Sequence, residues 1–311
     1  MNVPRDHGGG LDAAIARYGG ARSDWLDLST GINPVPYPIP DIPADAWTAL
    51  PDRAAFDRLH DLARAFWEVP EEAGIIAAAG ASAIIAALPH VLPKGAVHIP
   101  GPTYNEHAAA FAAADWALGQ DPSHTLVAVH PNNPDGRLWH APDLTATYVV
   151  IDESFCDVAP EASLIAEAAK PGRIILKSFG KFWGLAGLRL GFAIGDPDII
   201  ADLKEALGPW QVSGPALTIG AEALSDPYWA DETRHHLNTD SARLDKLMQK
   251  SGAEVVGGTP LFRLYRVQDA AAAQDHLARH KVWSRIFPYA NDWLRLGLPA
   301  PDRWDQLEAA F

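Results

Sequence analysis

Ser178, Lys181 and Arg189 stand in the run LKSFGKFWGLAGLRLGF, residues 176–192, a glycine-rich ribbon that is otherwise apolar. A core strand excludes lysine unless its charge is paired, and a solvated loop does not carry so many Leu, Phe and Trp side chains. The polar residues therefore point to a site. Similar interruptions occur upstream. Pro131-Asn132-Asn133-Pro134-Asp135-Gly136 follows TLVAVH, Asp152 ends YVVID, and Gly80-Ala81-Ser82 separates GIIAAA from a helical run. An amide, an acid, an amine able to act as a nucleophile and a helix start able to cradle an anion thus fall at the ends of successive strands. Taken singly, each is weak: NNPDG reads as a type I turn and a strand-end aspartate as a helix cap.

The elements that must position these residues alternate. An amphipathic helix over 52–67 precedes GIIAAA (strand), SAIIAALPHVL (helix), GAVHIP (strand) and YNEHAAAFAAA (helix). TLVAVH, YVVIDE, RIILKSF and RLGFAIG are short β-rich runs bounded by turn residues. Short apolar strands separated by helices predict an α/β layer with a mainly parallel sheet, whose ligands bind beyond the carboxyl ends of the strands. Past residue 206 the texture changes. Helical stretches over 214–225 and 227–251 lead to EVVGG, PLFRLYRV, a helix at 268–280, VWSRIF and DWLRLGLP, a smaller α+β domain. The reading divides the chain into an N-terminal arm and substrate-pocket segment, 1–40, a large domain, 41–205, and a small domain, 206–311.

The bulk composition, 48% hydrophobic and 21% charged, is that of a globular protein, and a formal charge of −14 argues against a nucleic-acid surface. Cys156 is the single cysteine, which rules out an intramolecular disulfide and suits a reducing cytoplasm. The start, MNVPRDHGGG, has no apolar stretch of the signal-peptide kind, and the alanine-rich run AGIIAAAGASAIIAALPHVLP reads as strand, turn and helix rather than a membrane span. No metal-ligand spacing is present, and His235-His236 sits in a charged helical stretch.

The pattern SFGKFWGLAGLRLGF, preceded in order by NNPDG and VVIDESF, resembles the fold-type-I pyridoxal-phosphate (PLP) enzymes, the aspartate-aminotransferase superfamily. The resemblance implies that Lys181 condenses with the cofactor aldehyde, Asp152 keeps the ring nitrogen protonated, and Asn133 donates to the ring 3′-oxygen. Ser178, Arg189 and the amides of Ala81 and Ser82 would hold the phosphate, and Tyr104 would stack on the ring. Lys177, inside the strand and four residues before Lys181, is the competing lysine.

Within the superfamily the chain is most similar to the threonine-phosphate decarboxylase family of cobalamin biosynthesis, near the histidinol-phosphate aminotransferases. The pieces that carry this are HGGGLDAA, DLSTGINPVPYP, PGPTYNEHAAAF, GPWQVSGPALTIGAEAL and the tail SRIF…LRLGLP. The resemblance implies PLP-dependent decarboxylation of L-threonine O-3-phosphate in a cytoplasmic homodimer, with His7, Asn33, Arg285 and Arg295 lining the substrate pocket. His7 would lie near the substrate phosphate, and the two arginines would bind the end carrying the carboxylate. The alternative is an aminotransferase acting on a phosphorylated or anionic amino acid such as histidinol phosphate. Three positions depart from the family pattern. Phe155 replaces a tyrosine frequent in aminotransferases, Leu50 stands where relatives place a tyrosine reaching the partner subunit's cofactor phosphate, and Gly180 replaces a frequent serine.

Overall fold

A computed structural model describes residues 7–311 of the chain. Packing divides the chain into two compact units. One comprises residues 36–133 and 137–232; the other comprises, among the described residues, 7–35, 134–136 and 233–311.

The larger unit is built on a seven-stranded sheet in the order Gly74–Ala78, Gly191–Gly195, Arg173–Ser178, Tyr148–Asp152, Thr125–Val129, Ala96–His98, Ala117–Gly119. All neighbours pair in parallel except Gly191–Gly195, which runs antiparallel to both of its partners. Strands Thr125–Val129 and Gly191–Gly195 are buried at every position, as befits strands covered on both faces, and this is why they read as unbroken apolar runs. Helix Arg53–Phe66 starts on Asp52, whose side chain accepts from the Ala55 amide. Helix Pro197–Leu207 starts on Asp196 with proline in its first turn and ends at Gly208, where φ is 72°.

Helix Pro197–Leu207 belongs to the core of the larger unit, which runs on to residue 232. Ile199, Ile200 and Leu203 are buried in the same cluster as Ile76, Val127, Val150 and Ile174. Ser213 then caps a further buried helix, Gly214–Leu224.

The smaller unit holds a four-stranded antiparallel sheet in the order Arg285–Phe287, Ala290–Gly297, Phe262–Arg266, Glu254–Thr259. Helix Ala270–Arg279, capped by Asp269, covers it, and the N-terminal helix Leu11–Tyr18 packs Leu11 and Ala14 with Trp25 and Ala278. The segment after that helix runs along the strand ends: Leu26–Asp27 pairs in parallel with Val282–Trp283, and the Gly297 amide donates to Leu28 O at 2.7 Å.

Candidate active site

The apolar half of the 176–192 ribbon forms a rigid platform. Phe179, Phe182 and Trp183 are wholly buried. The Trp183 ring is sandwiched between Phe179, centroids 5.1 Å apart at 11°, and Trp229, 5.4 Å apart at 12°. Each such pair contributes on the order of 1 kcal/mol beyond area burial. The turn it supports is closed by Gly184 N to Lys181 O at 3.1 Å and by Gly180 N to the Ser178 hydroxyl at 3.3 Å. Lys181 is thereby fixed on a tight turn while remaining partly exposed.

What it faces is a cavity. Ala81, Ser82, Tyr104, Asn133, Asp152, Ser178, Lys181 and Arg189 all line it, together with Ser154 and Phe155. The sheet explains the convergence. Strands Gly74–Ala78, Thr125–Val129, Tyr148–Asp152 and Arg173–Ser178 end on this edge, and the antiparallel strand Gly191–Gly195 begins there, two residues after Arg189.

Asp152 is buried and accepts from the His107 Nε2 at 2.8 Å on one oxygen, and from the Ser154 amide and hydroxyl at 3.0 and 2.5 Å on the other. Burial alone would raise its pKa, but these donors outweigh it and hold the carboxyl below its usual range. The His107 Nδ1 is buried with no hydrogen-bond partner among the described residues, so the bond to Asp152 is what holds the ring. His107 was not singled out from the sequence. The signal was present: it lies three residues after Tyr104, the N-cap of helix Asn105–Ala113, and the two rings meet edge-on with centroids 6.1 Å apart.

The anion end of the cavity is built from close approaches. The Arg189 guanidinium lies against the start of helix Ala81–Val91, so near Gly80 that a Cβ there would sit 2.6 Å from Nη2. Gly80 at φ 80° and Arg189 in the left-handed region at φ 54° are both held in conformations that cost energy elsewhere. A cation at a helix N-terminus, beside a serine hydroxyl, is a site for a phosphate. Asn132 pins the neighbouring loop: it accepts from Thr103 Oγ1 at 2.6 Å and donates to Pro102 O at 3.0 Å, fixing the approach of Tyr104 and Asn133.

Phe155 fills the wall without a hydroxyl, and its ring centroid lies 5.3 Å from the Lys181 Nζ. Lys177 is excluded from the cavity. It is buried with its Nζ 2.6 Å from Glu153 Oε2 and 3.6 Å from Asp157 Oδ1. Burial would depress this amine, but the two carboxylates outweigh it and hold it charged, above the ordinary lysine range. Trp67 and Trp183 donate to the two oxygens of Asp157 at 2.9 and 3.1 Å, so the ion pairs tie the strand ends bearing Asp152 and Ser178 to the aromatic platform.

Glu153 is the nearer of the two carboxylates on Lys177 and also accepts from the Ser163 hydroxyl at 2.7 Å and the Leu164 amide at 2.6 Å. Glu153→Ala strips all three at once and is therefore expected to lower unfolding free energy by about 3–5 kcal/mol in chemical denaturation; a loss below about 1 kcal/mol would show that Asp157 alone suffices to hold the Lys177 charge. Nearby, His130, Glu153 and Cys156 lie together, but both His130 ring nitrogens are engaged, with Ala162 O at 2.7 Å and the Trp139 amide at 3.0 Å. Burial pushes the Cys156 thiol well above its usual range. That cluster is structural.

The four expected substrate residues all belong to the smaller unit. Arg285 and Arg295 are directly opposite each other on adjacent antiparallel strands. Arg295 is buried, packs over Phe262 with 5.0 Å to the ring centroid, and donates from Nη2 to Ser29 O at 2.7 Å. Arg285 donates from Nη1 to the His7 carbonyl. Asn33 is buried and its Oδ1 accepts from the Val35 amide at 2.9 Å. Leu50 is exposed.

Residues 111–310 match the family model described as aminotransferase class I and II. A threonine-phosphate decarboxylase of Pseudomonas aeruginosa is 38% identical, over 98% of this chain and 97% of the relative. Another, from a Sinorhizobium species, is 39% identical over 97% of this chain and 95% of the relative. In fold, the chain is similar to the crystal structure of histidinol-phosphate aminotransferase from Sinorhizobium meliloti in complex with pyridoxal-5′-phosphate, with a TM-score of 0.78 at 17% identity, over 99% of this chain and 94% of that one. Matched by this family model and by two relatives along nearly their whole length, the chain belongs to the aminotransferase class I and II family.

Proposed function

We propose that this chain is a PLP-dependent carboxy-lyase that releases CO2 from L-threonine O-3-phosphate, leaving aminopropanol phosphate for cobalamin biosynthesis. The observation that carries the cofactor assignment is the cavity in which Lys181, an ionised buried Asp152 and the Arg189–Gly80 cradle come together. These residues fit pyridoxal phosphate: an amine for its aldehyde, an acid for its ring nitrogen and a cationic helix start for its phosphate. The choice of decarboxylation over transamination is supported by the two decarboxylase relatives that align end to end.

Bound there, pyridoxal phosphate supplies the sink for the electron pair left on Cα when the carboxylate departs. The chain's own groups do the rest. Asp152 keeps a proton on the ring nitrogen, and His107 and Ser154 keep Asp152 ionised. Ser178, Arg189 and the amides of Ala81 and Ser82 hold the cofactor phosphate, Asn133 donates to the ring oxygen, and Tyr104 covers the ring. Lys181 holds the aldehyde between turnovers. We assign the substrate's anionic groups to Arg285, Arg295, His7 and Asn33. Among the described residues no helix is long and apolar enough to cross a membrane; a cytoplasmic homodimer is part of the same proposal.

Three results test this reading. Borohydride reduction followed by peptide mapping is expected to find the cofactor on Lys181; an adduct on Lys177 would overturn the assignment. Arg189→Ala is expected to weaken cofactor binding about tenfold or more, the scale of one charge-assisted contact, by titration. Carboxyl-labelled threonine phosphate is expected to lose label as CO2 without any keto-acid acceptor. Label retained, with glutamate formed only when 2-oxoglutarate is added, would establish the aminotransferase alternative instead.

A further inference from the structure

In the glycine-rich arm, His7–Gly10, Gly9 is held by Ser29 and Trp283, two residues that the proposed reaction does not use. Gly9 is gripped at both peptide groups: its amide donates to the Ser29 hydroxyl at 2.7 Å, and its carbonyl accepts from the Trp283 indole at 3.0 Å. Ser29 is buried and oriented, its hydroxyl donating to Asp27 Oδ1 at 2.6 Å. Each glycine has a physical reason. Gly9 and Gly10 take φ of 90° and 71°, and a Cβ on Gly8 would lie 2.5 Å from Ser29 O. The arm thus makes two left-handed turns and lies flat on the 27–29 segment, which only glycines allow. Beyond it, helix Leu11–Tyr18 is packed in its own apolar cluster, so the clamp governs the arm alone.

Both candidate substrate arginines contact the same assembly. Arg295 donates to Ser29 O, and Arg285 donates to His7 O. Two guanidinium groups directly opposite on a sheet repel, and their orientation has to be imposed by acceptors around them. Here the acceptors are carbonyls of the two segments that Ser29 joins. We infer that Ser29 and Trp283 are positioning residues for recognition of the anionic substrate: they lock the arm against the strands bearing Arg285 and Arg295, so that arm and arginines present one wall to the substrate's charged groups. This rests on the proposed substrate class, but the clamp itself can be tested without it.

The experiment uses the full-length holoenzyme and two variants that each remove one hydrogen bond to the arm, Ser29→Ala and Trp283→Phe. Amide hydrogen exchange across residues 7–10 should accelerate in both, while exchange in strand Tyr148–Asp152 stays unchanged. KM for L-threonine O-3-phosphate should rise roughly three- to tenfold, the range of one net hydrogen bond, with kcat within about twofold of wild type. Asp27→Asn, whose amide oxygen can accept the same bonds from Ser29, should show a smaller KM rise than Asp27→Ala. An arm that exchanges at the wild-type rate in both variants overturns the clamp. So does a loosened arm with unchanged KM, or a loss confined to kcat. If the wild-type enzyme releases no CO2 from threonine phosphate, the decarboxylase reading falls by itself. The clamp is then judged with inorganic phosphate: protection of the arm that Ser29→Ala abolishes supports it, and no protection overturns it.

Discussion

The Asp152→Asn variant is expected to take up pyridoxal phosphate but to lose on the order of a thousandfold or more in kcat, several kcal/mol of barrier. The side chain is nearly isosteric: the retained oxygen still accepts from Ser154, and the new amide NH2 faces the His107 Nε2, which accepts from it once the ring carries its proton on Nδ1. What disappears is the charge. A neutral amide could not hold a proton on the ring nitrogen of a bound pyridoxal phosphate, whereas Ser178 and Arg189, which would hold its phosphate, are untouched. Cofactor titration and single-turnover CO2 release check the two halves separately; a variant within about threefold of wild type would show that another group protonates the ring. The pKa shift also fixes a pH dependence. Because the folded-state value is depressed, the stability contributed by the His107 and Ser154 bonds is complete above the ordinary aspartate range, near 3.9, and is lost only as pH falls through the lower folded value. Any loss of activity on the acid side of neutrality in the wild-type enzyme therefore belongs to groups other than Asp152.

The cofactor cavity was legible in the sequence because a parallel sheet delivers its strand ends to one edge. Once TLVAVH, YVVID and RIILKS are read as neighbouring strands, Asn133, Asp152 and Lys181 must lie together, and all of them line the cavity. The antiparallel direction of Gly191–Gly195 carries no mark in RLGFAIG, yet it is what brings Arg189 to that edge rather than the opposite one. His107 was hidden because a lone histidine on an alanine-rich helix reads as packing; only the three-residue offset from Tyr104 pointed inward. Lys177 was ambiguous for a related reason. Its partners Glu153 and Asp157 lie 24 and 20 positions away in sequence, and the strand pairing of 148–152 with 173–178 alone makes them neighbours. Residues 206–232 pack with the larger unit because Gly220 lies close against Leu59 and Leu190 and Trp229 stacks on Trp183, contacts between segments far apart in the sequence.

Arg285→Ala separates function from stability by moving them in unlike directions. In the folded chain Arg285 is opposite Arg295 in the strand register, and like charges so placed are destabilising by some tenths of a kcal/mol. Deleting one removes that repulsion, offsetting the lost contacts of Arg285 with the His7 carbonyl and with the Phe287 ring 5.3 Å away. Unfolding free energy is therefore expected to stay within about 0.5 kcal/mol of wild type. A doubly anionic amino-acid phosphate responds otherwise. It loses one of two cations assigned to its charge while remaining desolvated, a cost of about 3–4 kcal/mol, which is a fall of roughly two to three orders of magnitude in kcat/KM. Cofactor affinity should not change, since Arg285 is not among the residues of the cofactor cavity. Decarboxylation kinetics, cofactor titration and chemical denaturation on the same preparation decide the matter. A variant that unfolds more easily but keeps its kcat/KM would make the facing arginines a structural pair and remove Arg285 from substrate recognition.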